Sequence, residues 1–108
     1  MIDIKAFRNS NHLLLGFAVR GHANAAPHGQ DIICAAVSVL AQTSVFGLER
    51  HLSRNISLTI SEGNLSFELC DSPDELTSAI LETALLGFRE IAKEYPKRVR
   101  IFDTGGDS

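Results

Sequence analysis

The sequence predicts an α+β fold, a two-layer sandwich with the element order β-β-α-β-β-α-β. In this arrangement a mostly antiparallel sheet carries both helices on one face. Apolar and polar residues alternate in residues 2–6, 56–60 and 65–69, which is typical of strands with one buried face. Residues 32–52 and 76–95 instead carry apolar residues at helical spacing. Elements that each have a single apolar face bury it by packing as two layers.

Two hairpins supply most of the predicted strands. In the first, Asn9-Ser10-Asn11 is the turn that precedes the nearly continuous apolar run Leu13–Val19. That run indicates that the second strand is more central in the sheet than the first. The second hairpin turns at Glu62-Gly63-Asn64, and Cys70, at the end of its second strand, is expected to be packed.

Both helices have recognisable start signals. Asp31 lies just before the first helical stripe, in the position of an N-cap, and Ser72 with Pro73 is typical of the start of the second helix. Pro96 ends that helix, and a short strand follows over residues 99–102. The second helix carries a wide apolar surface, which would pack on the first helix or form a dimer interface. The residues of that surface are Leu76, Ile80, Leu81, Ala84, Leu85, Leu86, Phe88, Ile91 and Tyr95.

The composition predicts one ordered domain with an ordinary charge. The chain has 108 residues, of which 44% are hydrophobic and 21% charged. We expect a single domain over residues 1–103 and a flexible tail over residues 104–108. The apolar fraction excludes a disordered chain, and no uncharged apolar run reaches about 18 residues, so a membrane span is not expected. A net charge of −3 argues against direct nucleic-acid binding.

The cysteines and the N-terminus indicate a cytoplasmic protein. Cys34 and Cys70 are too few for a secreted disulfide framework and lack the paired spacing of a structural zinc site. Residues 1–5 have no basic region of a signal peptide, and no apolar segment of one follows. We therefore expect reduced thiols, and no metal or other cofactor is predicted.

The segment Gly21–Ser38 concentrates residues that the hydrophobic pattern does not require. His22 is expected to end the second strand, residues 23–30 to form a loop, and Cys34 to lie in the first turn of the first helix. A strand end and a helix start that are joined in this way lie on the same rim of the sheet. The sequence therefore predicts that His22 and Cys34 come within hydrogen-bond distance.

A cysteine in that position has the chemistry of a nucleophile. Thiols near helix N-termini or beside a protonated histidine ionise more readily than an isolated thiol. A thiolate–imidazolium pair supplies the nucleophile and the general acid and base of acyl transfer. Unpaired N–H groups at the helix start would receive the oxyanion, unless the Asp31 side chain already occupies the Cys34 N–H.

Structural roles would explain the same residues. A cysteine in an amphipathic helix commonly fills the core, and Asp31 can act only as a cap. Ser38 lies four residues after Cys34, where it can bond its own backbone or touch the thiol. His28 is a rival base on the predicted loop. His22, His28, Asp31 and Cys34 have the ligand types of a zinc site, although their spacing matches no known zinc motif.

The segment G-H-A followed by G-Q-D-I-I-C-A-A-V-S resembles the bacterial ribosomal-processing cysteine protease family, Prp. Its members share a Gly-His pair, a loop and a G-x-D-I-[VI]-C-A-A-[VI]-S segment that opens the first helix. The resemblance is dense over Gly21–Ser38. Elsewhere it covers the chain length and the order of the elements.

The resemblance implies a dimeric cytoplasmic endopeptidase that removes a short N-terminal extension from a large-subunit ribosomal protein precursor. Members cut after a hydrophobic segment that ends in aromatic residues, and leave a small residue at the new N-terminus. By this resemblance Cys34 is the nucleophile and His22 the general base and acid, and Asp31 is the candidate to orient His22. The loop Ala23–Gly29 would close over the substrate, with Gly21 and Gly29 as hinges.

Two other functions compete with this one. A non-catalytic module would bind ribosomal proteins or assembly factors through the loop and a strand edge, without turnover. A redox-sensing thiol protein would oxidise Cys34 reversibly, and Cys70 would be its resolving partner only if the two residues were neighbours.

Overall fold

A five-stranded sheet with the order β3-β4-β2-β1-β5 is the frame of the molecule. The computed structural model describes residues 1–21 and 28–103, of which 28–31 are described by their backbone alone. The neighbouring strands pair antiparallel except β1 and β5, which are parallel, and β2 lies in the centre as predicted. The strands are β1 Ile2–Arg8, β2 Leu14–Arg20, β3 Ile56–Ser61, β4 Asn64–Leu69 and β5 Val99–Asp103.

Both helices lie on one face of this sheet, so the predicted two-layer α+β sandwich is confirmed. The helices are α1, His28–Phe46, which continues into a π-helical turn at Gly47–His51, and α2, Glu75–Glu94. The buried side chains of both helices join those of the sheet in a single apolar cluster. The strands contribute alternate residues to it, as Ile2, Ile4 and Ala6 of β1 show.

Three phenylalanines connect the layers at the centre of the core. The ring of Phe17, on β2, meets Phe67 of β4 edge-on at 5.8 Å and Phe88 of α2 edge-on at 5.0 Å. All three side chains are almost completely buried. Edge-to-face pairs at these distances stabilise a fold beyond the burial of their area alone.

The helix α1 begins earlier than the sequence predicts. It starts at His28, so Asp31 is a residue of its first turn and not its N-cap, and Gly29 lies inside the helix. The sequence pattern predicts a loop up to residue 30 because Pro27 and Gly29 are typical loop residues, but Gly29 lies in the first turn of the helix. Cys34 is consequently the seventh helical residue. The first four N–H groups are the unpaired ones, so the Cys34 N–H is not one of them.

The second helix is capped by Asp74 and not by Ser72. The Asp74 carboxylate accepts hydrogen bonds from the Leu76 and Thr77 N–H groups at 3.0 and 3.1 Å, and Thr77 Oγ1 accepts from the Asp74 N–H at 2.9 Å. The buried face of α2 runs through Thr77, Leu81, Ala84, Leu85 and Phe88. Leu76 and Leu86, predicted for the apolar surface, are exposed.

The segment Ile32–His51 is long and apolar enough to cross a membrane by length and composition alone. Its residues Ile33, Val37, Ala41 and Val45 nevertheless lie in the core against the sheet. We therefore interpret it as a core helix. Its high hydropathy has a second source, since Ile32, Val39 and Phe46 lie exposed on its outer side.

The Asp74 cap is sensitive to pH. The Arg54 guanidinium donates to Asp74 at 2.7 Å and, with the Thr77 N–H, lowers the pKa of that carboxyl below its ordinary value of 3.8. A carboxyl with a depressed pKa in the folded state stabilises the fold above its ordinary pKa. That stability is lost as the pH falls through the folded-state value.

We expect Asp74→Asn, which keeps the cap oxygen but loses the charge, to unfold at a lower temperature than the wild type at pH 7. The difference should close as the pH falls below about 4, near the ordinary pKa of aspartate. Thermal unfolding followed by circular dichroism from pH 7 to pH 3 measures it. Asp74→Ala, which removes the cap as well, should remain below Asp74→Asn throughout. A constant gap between wild type and Asp74→Asn would contradict the ion-pair argument.

Candidate active site

A cleft of about 200 Å³ lies where the end of β2 meets one face of α1. It contains Gly21, Cys34 and Ser38, three of the residues that the sequence singled out. Cys34 and Ser38 are both partly buried, and Cys34 also packs against the edge of the core. The remaining lining residues are Ile2, Val19, Val37, Gln42, Ile60, Ser61, Gly63, Asn64 and Leu65.

The periodicity of α1 explains which residues reach the cleft. Residues spaced by three or four positions lie on one side of a helix, so Cys34, Val37, Ser38 and Gln42 form one stripe. Val37 is buried beneath this stripe and anchors it in the core. The thiol of Cys34 is thereby held beside the sheet at the level where β2 ends.

Gly21 fixes the backbone at the opposite wall of the cleft. Its N–H donates to the Gly63 carbonyl at 2.9 Å, and its φ of 98° lies in the region that favours glycine. A Cβ atom at this position would lie 2.3 Å from the carbonyl oxygen of Met1. Only glycine fits here, and the next residue in the chain is His22.

Asn64 is a cleft residue that the sequence analysis missed. Its Oδ1 is buried and has no hydrogen-bond partner within the described part of the chain. Buried polar atoms normally have a partner, so this oxygen is suited to accept a hydrogen bond from a group that enters the cleft. The sequence gives no signal of a functional role for Asn64, because it lies in the turn Glu62-Gly63-Asn64 and asparagine is common in turns for reasons of local backbone geometry.

Several predicted site residues lie outside the description. His22 and Ala23 fall in residues 22–27, and the tail 104–108 is likewise outside the described residues. His28, Gly29 and Asp31 are placed in α1 by their backbone, and their side chains lie outside the description. Among the side chains that are described, no group of three or more His, Cys, Asp or Glu could hold a metal ion.

Cys70 is exposed, in contrast to the predicted packing. It follows the last residue of β4, whereas Asn64, the first residue of that strand, lines the cleft with Cys34. A six-residue strand is about 20 Å long, and cysteines can be bridged only when their Cα atoms are within about 7 Å. Cys70 is therefore not placed to resolve an oxidised Cys34.

The chain matches the family model "Cysteine protease Prp" over residues 1–100. It belongs to the Prp family of cysteine proteases. Among curated relatives, the ribosomal processing cysteine protease Prp of Bacillus subtilis is 28% identical over 107 residues, covering 94% of this chain and 96% of the relative. That of Staphylococcus aureus strain Mu50 is 24% identical over 103 residues, covering 94% and 97%.

Solved structures, one of them of a Prp protein, share the fold. The S. aureus ribosomal processing protease Prp in complex with a covalently linked product peptide superposes with a TM-score of 0.85 at 24% identity, covering 95% of this chain and 99% of that one. SMU.848 from Streptococcus mutans has a TM-score of 0.83 at 29% identity, covering 95% and 93%. The five-stranded sheet with two helices is thus the architecture of Prp proteins, and this chain is a cysteine protease of that family.

The strained position of Gly21 gives a test of this site. Gly21→Ala should lower stability by about 1–3 kcal/mol, because alanine is unfavourable at this φ and its Cβ collides with the Met1 carbonyl. The displaced wall of the cleft should lower kcat/KM by about 10²-fold. Thermal unfolding and peptide-cleavage kinetics measure the two effects. A variant as stable and as active as the wild type would show that this backbone contact is dispensable.

Proposed function

We propose that this Prp protein removes a short hydrophobic N-terminal extension from a large-subunit ribosomal protein precursor, with Cys34 as nucleophile and His22 as general base and acid. The observation that carries the proposal is the cleft that joins Cys34 of α1 to Gly21, the residue before His22. The names of the relatives, ribosomal processing cysteine proteases, support the substrate class.

Each residue has a defined step in this reaction. The His22 imidazole takes the thiol proton, and the Cys34 thiolate attacks the carbonyl carbon of the scissile bond. The tetrahedral intermediate collapses as the imidazolium gives its proton to the leaving amine, which leaves a thioester on Cys34. His22 then deprotonates a water molecule, which attacks the thioester, releases the extension as a carboxylate and restores the thiol.

The remaining predicted residues would support these steps. Ser38 lies one helical turn from Cys34 in the same cleft, where its hydroxyl can hydrogen-bond the thiol or the substrate. Asp31 remains the candidate to orient His22. Gly29 lies within α1 and is therefore not the second hinge of a substrate loop. The segment that would cover the substrate is residues 23–27, and Gly21, which is held by its hydrogen bond to Gly63, lies at one end of it. We place the enzyme in the cytoplasm, where ribosomal precursors are made.

Oxyanion stabilisation needs a donor other than the Cys34 N–H, since that group lies in the second turn of α1. The Asn64 side chain lines the same cleft and carries an amide with two N–H donors. It is suited to this role or to holding the substrate backbone.

Substitution of the nucleophile tests the proposal directly. We expect Cys34→Ala to fold normally and to lower the cleavage rate by about 10⁴-fold or more, and His22→Ala to have a comparable effect. His28→Ala is the control that should retain activity. The assay is mass spectrometry of a peptide that contains a hydrophobic segment ending in aromatic residues, followed by a small residue. Undiminished cleavage by Cys34→Ala would refute the proposed nucleophile, and an inactive His28→Ala with an active His22→Ala would reassign the base.

We further infer that two copies of the chain associate through the outer side of the helical layer. Ile32, Val39 and Phe46 are exposed at seven-residue intervals along α1, and Leu86 of α2 is 64% exposed. Ile32, Val39 and Phe46 border apolar grooves between the two helices, the larger with a volume of about 650 Å³. A contiguous exposed apolar surface of this kind is typical of an interface.

This interface predicts that Val39→Glu is monomeric at concentrations where the wild type is dimeric, because a charge would be buried at the centre of the contact. Sedimentation velocity distinguishes the two states. Lys5→Gln, which changes the net charge equally on the other layer, should leave the dimer intact. A wild-type protein that sediments as a monomer at all concentrations would contradict the inference.

A further inference from the structure

The edge strand β3 exposes a hydrophobic surface that the core does not use. Leu58 and Ile60 stand opposite Phe67 and Leu65 of β4, two residues that are buried beneath the helices. The side chains of Leu58 and Ile60 therefore point to the helical side of the sheet, yet they are 42% and 62% exposed, respectively. The helices pack over β2 and β5 and leave this end of the sheet uncovered.

This edge also lacks the features by which proteins protect exposed strands. Within the described sheet β3 has β4 as its single neighbour, and its pairing runs without a bulge. Its sequence, Ile-Ser-Leu-Thr-Ile-Ser, contains no charged residue and no proline. Natural edge strands are usually short, charged, bulged or covered, because otherwise they pair with other chains. A bare edge of this kind is suited to receive a peptide strand.

The edge runs directly into the candidate active site. Ile60 and Ser61, at the end of β3, line the same cleft as Cys34. A peptide that lies along β3 would therefore reach the thiol at that end. If its hydrophobic segment precedes the scissile bond, as in the proposed function, the peptide must run parallel to β3 to place that segment beside Leu58 and Ile60.

We propose that β3 is the docking strand for the substrate, which adds to the sheet as a sixth strand parallel to β3. The backbone of β3 binds the peptide backbone, and Leu58 and Ile60 select apolar side chains at alternate positions before the scissile bond. This inference rests on the proposed function, because the orientation of the peptide follows from the reaction at Cys34.

Strand addition predicts that the effect of backbone N-methylation on peptide affinity alternates along the peptide, with a period of two residues. In a sheet, alternate residues of a strand direct their N–H groups to the same neighbour. Peptides N-methylated at single positions before the scissile bond should lose about tenfold in affinity at every second position and bind normally at the positions between. Fluorescence anisotropy with the Cys34→Ala protein measures binding without turnover. Uniform effects, or none, would overturn strand addition.

The side-chain contacts have a matched control on the same strand. Leu58→Lys and Ile60→Lys should each raise KM by about tenfold with little change in kcat, because they remove apolar contact with the bound peptide. Thr59→Lys changes a residue that is also exposed but whose side chain faces the other side of the sheet, and it should leave KM unchanged. Thermal unfolding verifies that all three variants fold. Equal effects of the three substitutions would overturn the role of Leu58 and Ile60.

The failure of this proposal is distinguishable from the failure of the proposed function. Cleavage by the wild type without the period-two pattern would reject the docking strand and leave the protease assignment intact. Period-two binding without cleavage by the wild type would keep the docking strand and reject the assigned reaction. If Leu58→Lys changes the sedimentation of the protein without peptide, β3 pairs with a second copy of the chain, and the proposal is wrong.

Discussion

The contact of Phe17 with Phe67 and Phe88 is the interaction on which the rest of the structure depends. Phe17 lies on the central strand, and its two edge-to-face contacts join β2 to β4 in the sheet and to α2 in the helical layer. Because α1 packs in the same core beside α2, its rotation about its own axis follows from this packing. That rotation decides which stripe of α1 faces the core and which faces the end of β2.

The candidate cleft is a consequence of this placement. Val37 is buried in the core, so Cys34 and Ser38, its neighbours on the helix, are held at the margin of the sheet. Gly21 forms the facing wall because its positive φ and its close approach to Met1 turn the chain at the end of β2. The position of Cys34 is thus fixed by the burial of its neighbour Val37, and the end of β2, which precedes His22 in the chain, is fixed by the backbone constraint at Gly21. Neither position depends on Cys34 lying in the first turn of α1, which is where the local sequence pattern predicts it.

The layer formed by the two helices does not extend over the whole face of the sheet. Apolar residues at the margins of the two layers therefore remain exposed. At one side β3 extends beyond the helical layer, so residues with strand periodicity remain exposed at the mouth of the cleft. The outer side of α1 carries a second apolar stripe that lies opposite its core stripe. The described chain thereby presents two exposed apolar surfaces, which we propose as the docking site of an extended peptide and as the contact with a second copy of the chain.

The sequence by itself determined the order of the elements, which residues of each strand face the core, and the segment Gly21–Ser38 as the place of the candidate site, because these depend on periodicity and on local spacing. It placed the start of α1 four residues late, because glycine and proline near a helix start are also typical of loops. Only the tertiary structure decided that β3 is an edge strand, that Cys70 is exposed and distant from Cys34, and that Asn64 enters the cleft. These facts depend on which strands become neighbours, and that choice is made by contacts between residues far apart in the chain.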